Sequence, residues 1–316
     1  MTQASESQEL TVIIVSYNTR DLTLRAVQTL LDNSPDVAMR VVVYDNASKD
    51  GSAEAVAAAF PGIEVIASQD NLGFAKANNL VAEMADTPWV CLLNPDTETH
   101  PGAIANLLAF AKANPKAGIV GGRTVFPDGS LNPTSCLRRV TPWSLFTQTV
   151  GLNRLFPGVG LFSYEEMGGW KRDTVREVDI VVGCFLLIST DLWRRLGGFD
   201  TRFFMYGEDA DLCLRARALG YRPMITPDAQ IMHLMGASTK VRADKVCLVM
   251  QSKATLIRTH WPRWLQPLGL LQLRLWAAMR GLLGSLSRDP AQRDRLQTIY
   301  RRRTEWLAGF PPASGA

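Results

Sequence analysis

Four short apolar runs in the first hundred residues each end in a polar turn, and helical periodicity separates them. The runs are Leu10–Val15, Val41–Tyr44, Ile63–Ala67 and Trp89–Leu93. Between them, Arg20–Leu31, Ala53–Phe60 and Ala75–Met84 carry apolar residues at helical spacing. Strand and helix in strict alternation predict right-handed βαβ crossovers and an α/β fold with a mostly parallel sheet flanked by helices. The turns then recur on one edge of that sheet, at the carboxyl ends of its strands. They read Ser16-Tyr17-Asn18, Asp45-Asn46, Asn71-Leu72-Gly73-Phe74 and Asn94-Pro95-Asp96. Open α/β sheets bind ligands at that edge.

Asp96 is the most informative of these residues. A carboxylate just past a buried strand gains nothing as a core residue, because burial is costly unless the charge is paired or bound to a metal. The bland alternative is a turn, since Asn-Pro-Asp is good turn chemistry anywhere. No G-x-G-x-x-G follows the first strand, and no P-loop is present. A bound nucleotide would therefore not sit in a glycine-rich phosphate cradle. Asp45 could accept hydrogen bonds from a base or ribose, and Asp96 could hold a metal on a diphosphate.

Past residue 117 the pattern is less regular. Ile119–Gly122 and Thr124–Phe126 read as short strands, Arg138–Met167 as irregular chain, and Val178–Ser189 as an apolar run broken at Gly183. Asp191–Leu196 and Ala210–Leu219 read as helices, and Arg222–Thr226 and Ile231–Leu234 as short strands, the last ending near His233. Glu208 and Asp209 open the second helix. The helix dipole favours acids there, which is their structural explanation. Their neighbours Phe203, Phe204, Met205 and Tyr206 offer another: an apolar surround raises a carboxyl pKa and makes a better base. By itself, His233 in a strand reads as a core histidine.

Composition excludes several classes. At 316 residues, 47% hydrophobic and 20% charged, the chain is that of an ordinary globular protein. Its five cysteines are scattered with no C-x-x-C pair, as expected of buried thiols in a reducing compartment. The polar N-terminus lacks the features of a signal peptide, and no run is long enough to span a membrane. A cytoplasmic location is expected. Residues 236–316 hold 14 Lys and Arg against four Asp and Glu, a net of +10, whereas residues 1–235 are net −6. That asymmetry predicts an acidic body, residues 1–240, and a basic helical extension, residues 241–316.

Together these motifs resemble the glycosyltransferases of family 2, in particular their bacterial rhamnosyltransferase-like members. The resemblance spans about residues 10–240. It rests on Val15-Ser16-Tyr17-Asn18, Asp45-Asn46-x-Ser48-x-Asp50-Gly51, Asn71-x-Gly73-Phe74, Asn94-Pro95-Asp96, Gly183, and Gly197-Gly198-Phe199-Asp200 leading to Tyr206-x-Glu208-Asp209-x-Asp211-Leu212. It implies the GT-A nucleotide-diphospho-sugar transferase fold and an inverting, metal-dependent transfer of a sugar. Ser16, Tyr17, Asp45 and Asn46 match the pocket for base and ribose. Asn71, Gly73 and Phe74 match a loop beside nucleotide and donor sugar. Asn94 and Asp96 match the DxD metal motif, and Glu208-Asp209 the ED motif with Asp209 as base. Gly183 and Tyr206 fall on the acceptor side. His233, 24 residues past Asp209, matches a further metal ligand. One departure is Asn94, which stands where the motif has its first acid. Its amide oxygen can coordinate but adds no charge, which leaves open whether Mg²⁺ or Mn²⁺ is used.

The resemblance further implies a nucleotide-sugar donor, dTDP-rhamnose or a UDP-sugar, and a glycan or polyprenyl-linked acceptor in cell-surface polysaccharide synthesis. Two other classes compete. A sugar-1-phosphate nucleotidyltransferase would need a glycine-rich basic loop after the first strand. A catalytically inactive nucleotide-sugar-binding module at the membrane draws support from Asn94, and the intact Glu208-Asp209 argues against it. No base-reading motif marks the chain as a nucleic-acid binder.

The basic extension carries a pattern of its own. Trp264, Leu268, Leu271, Leu275, Met279, Leu282 and Leu286 recur at steps of three and four, one apolar face of a helix, with Pro267 in its first turn. Arg288, Arg293, Arg295 and Arg301-Arg302-Arg303 follow. The pattern predicts a helix lying on the inner face of an anionic membrane. Its competitor is a helix packed on its own catalytic domain or in a homo-oligomer interface.

Overall fold

The computed structural model describes residues 8–234 and 242–311. In chain order the elements begin β1 (Leu10–Ser16), α1 (Arg20–Asp32), β2 (Met39–Asp45), α2 (Ser52–Ala59), β3 (Glu64–Ala67), α3 (Gly73–Glu83), β4 (Trp89–Leu93) and β5 (Thr97–Thr99). Then come α4 (Ala103–Ala113), β6 (Ile119–Val125), β7 (Cys136–Leu137), α5 (Pro142–Val150), α6 (Leu152–Leu155), β8 (Arg176–Glu177), β9 (Ile180–Val181), β10 (Phe185–Ser189) and α7 (Thr190–Leu196). The chain continues with α8 (Glu208–Ala218), β11 (Met224–His233), α9 (Arg242–His260), α10 (Gln266–Leu286), α11 (Pro290–Arg301) and α12 (Arg303–Leu307).

Two compact units divide these elements. The first holds residues 1–137, 171–200 and 212–238, and the second residues 138–170, 201–211 and 239–316. The expected boundary at residue 240 falls in 235–241, outside the described residues.

The first unit is built on a mixed nine-stranded sheet of order β3-β2-β1-β4-β10-β6-β11-β5, with β8 beside β11. The run from β3 to β4 is parallel, as expected of strands that alternate with helices. Every residue of β1 is buried. Such a continuous apolar run marks a strand covered on both faces. The β1–β2 register sets Ser16 opposite Asp45, so two of the polar turns leave the sheet side by side.

Three expectations change. Arg222–Thr226 and Ile231–Leu234 are ends of one strand, β11, whose pairing with β6 slips between Thr226 and Gln230. Pro227 has no N–H to give the ladder, so the strand bulges there and resumes. The two short strands at 119–126 are likewise a single strand, β6. Arg138–Met167 is not all irregular, because it contains α5 and α6. Thr141 caps α5 reciprocally with Ser144, Pro142 occupies its first position, and Gly151 ends it with φ +82°.

The second unit is helical. Leu145 of α5 joins Met250, Ala254 and Ile257 of α9, Leu273 and Ala277 of α10, Ile299 of α11 and Trp306 of α12 in one core. Gly269 of α10 is required by the packing, since a Cβ there would lie 2.7 Å from Trp261 and 3.1 Å from Ile257.

Candidate active site

In the first unit, the turns after β1 and β2 are laced to each other. Asn18 N–H donates to Ser48 Oγ at 2.9 Å, and Lys49 N–H to Asn18 Oδ1 at 2.8 Å. Asp50 accepts from the Arg20 amide at 2.9 Å and from Ser52. Burial works against its charge, but those donors hold its carboxyl below the usual range. Ser16 is fully buried, and its hydroxyl is spent on Thr19 at 3.1 Å and Thr23 at 2.9 Å, so it braces the turn from behind. Tyr17 beside it is exposed.

Asn46 ties in the next loop. Its Oδ1 accepts from the Leu72 amide at 2.8 Å, and its Nδ2 reaches Gly73 O at 3.4 Å. Asn71 Oδ1 accepts from Gly73 N–H at 3.0 Å, and Gly73 has the positive φ that this turn requires. Phe74 rests its ring 5.9 Å from that of Phe199. Asp45 is the exception in this well-partnered edge. It is 3% exposed, and Oδ1 accepts from Ser48 N–H at 2.8 Å. Its Oδ2 is buried with no hydrogen-bond partner among the described residues. An orphaned acceptor of this kind costs about 1–3 kcal/mol until a donor arrives.

The turn after β4 forms a second corner. Asn94 N–H donates to Cys184 O at 3.0 Å, which brings in the Val182–Cys184 turn with buried Gly183. The antiparallel pairing of β11 with β5 sets His233 opposite Thr97, and so beside Asp96. His233 Nε2 lies 3.3 Å from Asp96 Oδ1, and the two residues are 7% and 9% exposed. Burial pulls the His233 pKa down, but Cys184 and the Asp96 carboxylate outweigh it, and the ring is pushed up to about 10. Its Nδ1 has no hydrogen-bond partner among the described residues. Asn132, fully buried, donates to His233 O at 3.3 Å. Neither Cys184 nor Asn132 was marked by the sequence pattern. Only strand pairing brings them here.

No group of three His, Cys, Asp or Glu side chains converges on a metal position among the described residues. Asp96 and His233, with the half-exposed Asn94, form a two- or three-donor set. That set suits Mg²⁺ or Mn²⁺, which take one or two protein carboxylates and complete their shell with substrate phosphate and water. The chemistry of the donors thus fits a metal shared with a diphosphate.

In the second unit, Tyr206 at φ +70° and Gly207 at φ +95° turn the chain into α8. Glu208 is buried, with Oε2 lacking a hydrogen-bond partner among the described residues, whereas Asp209 is half-exposed. Asp209 Oδ1 accepts from the Ala210 amide at 2.7 Å. Burial, and then the neighbouring Asp209 charge, push Glu208 well above the usual carboxyl range. The apolar surround expected for this pair acts on Glu208. Phe203 is fully buried, and Phe204 is exposed.

The model of glycosyl transferase family 2 matches residues 11–177. The chain belongs to that family. It is a glycosyltransferase, and its fold is GT-A. The N-acetylglucosaminyl-diphospho-decaprenol L-rhamnosyltransferase of Mycobacterium tuberculosis is 29% identical over 77% of this chain and 84% of its own. Rhamnosyltransferase WbbL of Escherichia coli is 28% identical over 70% of this chain and 82% of its own. Among solved structures, the mannosyltransferase PcManGT from Pyrobaculum calidifontis, in complex with GDP-Man and Mn²⁺, has a TM-score of 0.56 at 20% identity. That match covers 95% of this chain and 83% of the other. As a family 2 glycosyltransferase, the protein has relatives named as rhamnosyltransferases.

Proposed function

We propose that this glycosyltransferase transfers a sugar, rhamnose from dTDP-rhamnose, to a hydroxyl of a polyprenyl-diphosphate-linked glycan with inversion at the anomeric carbon. The observation that carries the donor reading is Asp45: a nearly buried carboxylate, on the ligand edge of the sheet, with one oxygen unspent. A base N–H or ribose hydroxyl would satisfy it. The acceptor reading is drawn from the rhamnosyltransferase relatives, of which that of Mycobacterium tuberculosis is named for a diphospho-decaprenol substrate.

Asp96 and His233, aided by Asn94, would hold Mg²⁺ or Mn²⁺. When bound, the metal supplies positive charge to the leaving diphosphate. Asp209 takes the proton from the acceptor hydroxyl as its oxygen attacks the anomeric carbon. Burial, and then the neighbouring Asp209, raise the Glu208 carboxyl pKa, and Asp209 is the more exposed of the two acids, which suits it to meet an acceptor. The family resemblance assigns Tyr206 and Gly183 to the acceptor. The displacement is direct, so no side-chain nucleophile takes part.

The donor reading is tested by calorimetry and thermal shift with dTDP, UDP and GDP, each with and without Mn²⁺. A site-specific nucleotide at a hundred times its Kd stabilises by about 2.7 kcal/mol. Turnover of dTDP-rhamnose with a prenyl-diphosphate-linked acceptor then tests the transfer. If no nucleoside diphosphate shifts the melting temperature, the donor reading is wrong.

We also propose peripheral attachment to the inner face of the plasma membrane. Trp264, Leu268, Leu271, Leu275, Met279, Leu282 and Leu286 are 40–79% exposed along α10 and the turn before it. The opposite face, with Leu273 and Ala277, fills the core of the second unit. The apolar stripe is thus surplus to the fold, and exposed Arg263, Arg274, Arg288 and Arg293, with half-exposed Arg295, accompany it. Among the described residues no helix is long and apolar enough to cross a membrane. A stripe of this kind with a basic surround suits an anionic lipid surface.

A further inference from the structure

Within the second unit, one helix supports the segment that presents Glu208 and Asp209 from both sides. On the near side, Ser252 of α9 is 3% exposed, and its hydroxyl donates to the Tyr206 carbonyl. The approach is close enough to exclude a side chain at Gly207, where a Cβ would lie 2.7 Å from Ser252 Cβ and 3.1 Å from the Phe203 ring. Lys245, two turns earlier on α9, sets its ammonium 5.5 Å from the centre of the Tyr206 ring, within cation–π range. On the far side, His260 at the end of α9 places Nε2 2.8 Å from Asp211 Oδ1. Asp211 is 1% exposed, and a buried carboxylate needs such a partner. A third support acts through the C-terminal segment. Thr255 of α9 accepts from Phe310 N–H at 2.8 Å, and the Phe310 ring meets Phe203 edge-on at 5.4 Å.

Tyr206 and Gly207 both occupy the left-handed region, which a non-glycine residue such as Tyr206 adopts only when its surroundings hold it there. The surroundings here are α9. It grips the residues on either side of Glu208 and Asp209, at Tyr206 and at Asp211.

We propose that Ser252 and His260 are positioning residues for transfer: they fix the strained turn and the first turn of α8, and so fix the direction in which Asp209 points. This rests on the reading of Asp209 as the base. Neither residue is assigned contact with substrate.

The test uses the full-length protein with Mn²⁺ and compares Ser252→Ala, His260→Ala and His260→Gln. Glutamine retains an N–H donor at about the position of Nε2. Two readouts are taken: steady-state kinetics, and hydrogen exchange of the amides of residues 207–212 without donor or metal. The expected result is a fall in kcat of about tenfold or more in both alanine variants with donor KM within twofold. Recovery of most of the rate in His260→Gln, and faster exchange at 207–212 in His260→Ala, are also expected. Unchanged kcat and exchange would overturn the proposal. So would a loss that falls equally on kcat and donor binding and is not rescued by glutamine, because that pattern belongs to general damage to the fold. If the wild type shows no transfer at all, the base reading fails, and exchange alone decides whether α9 holds the turn.

Discussion

The acids of the first unit and those of the second are held in contrasting ways. Asp45 and Asp96 sit directly after strands of the sheet and are held by its backbone frame: Ser48 N–H, three residues on, bonds Asp45, and the β11–β5 pairing sets Leu234 N–H on the Asp96 carbonyl at 3.0 Å, next to His233. Glu208 and Asp209 follow a left-handed turn, and the residues that brace it, Ser252 and His260, are 46 and 49 positions from their partners. A sheet edge is rigid because each strand is pinned along its whole length, which suits a site that must be preformed for a ligand. A turn held by a few tertiary contacts depends on distant side chains. Damage to the first kind of site should appear in binding, and damage to the second in turnover.

The largest expected effect tests the second half of that contrast. Asp209→Asn removes the base and leaves the size of the side chain unchanged. It should fold, bind nucleotide as wild type does, and lose about 10²- to 10⁴-fold in transfer rate. Near-wild-type turnover would remove Asp209 from that role and blur the division between the two sites.

The next effect belongs to the sheet edge. Asp96→Ala should abolish the metal-dependent part of nucleoside diphosphate binding, and His233→Ala should weaken it less, because the carboxylate carries the fixed charge. Calorimetry with and without Mn²⁺ measures both. If both variants bound nucleotide as wild type does, the metal would have to be held elsewhere.

Much of the first unit is legible from sequence for the same reason that it is rigid. Val12-Ile13-Ile14 and Val41-Val42-Val43 can hardly be anything but buried strands, and polar residues immediately after them have to leave at the sheet edge. The metal corner is only half legible, because the β11–β5 register that brings His233 to Asp96 joins segments more than 130 residues apart. The support of α8 is not legible. Ser252 and His260 lie in a helix whose sequence, RADKVCLVMQSKATLIRTH, reads only as mildly amphipathic. The stripe of α10 was plain in the sequence, but whether it faced protein or solvent depended on Leu273 and Ala277 filling the core from the other side.

A smaller effect concerns that stripe. Removing the chain beyond residue 260 would take Leu273, Ala277, Ile299 and Trp306 out of the core of the second unit, so point variants separate docking from folding better than truncation does. Leu271→Ser with Leu275→Ser replaces two half-exposed side chains and should leave the melting temperature nearly unchanged. Co-sedimentation with anionic vesicles should fall several-fold, and wild-type binding should weaken as salt rises. Wild-type indifference to anionic vesicles at low salt would assign the stripe to a protein interface.

The smallest effect isolates the acid–imidazole corner without any ligand. In the folded protein the His233 pKa is pushed up to about 10, against about 6.5 for an unfolded histidine. A group whose pKa is raised by folding binds its proton more tightly in the native state, so its contribution to stability is fully present below about pH 6.5. As the pH rises towards 10 that contribution disappears, because the folded protein has then lost the extra proton too. Metal-free protein in EDTA should therefore melt at progressively lower temperature between about pH 6.5 and 10. His233→Gln keeps a polar side chain beside Asp96 but cannot titrate, so its melting temperature should depend less on pH over that range. The comparison of slopes matters more than either melting temperature, since replacing a 7%-exposed ring will itself change stability. Parallel slopes in the two proteins would mean that His233 is neutral in the folded state. The Asp96 corner would then be held by the β11–β5 register alone, a purely strand-built site like the edge at Asp45.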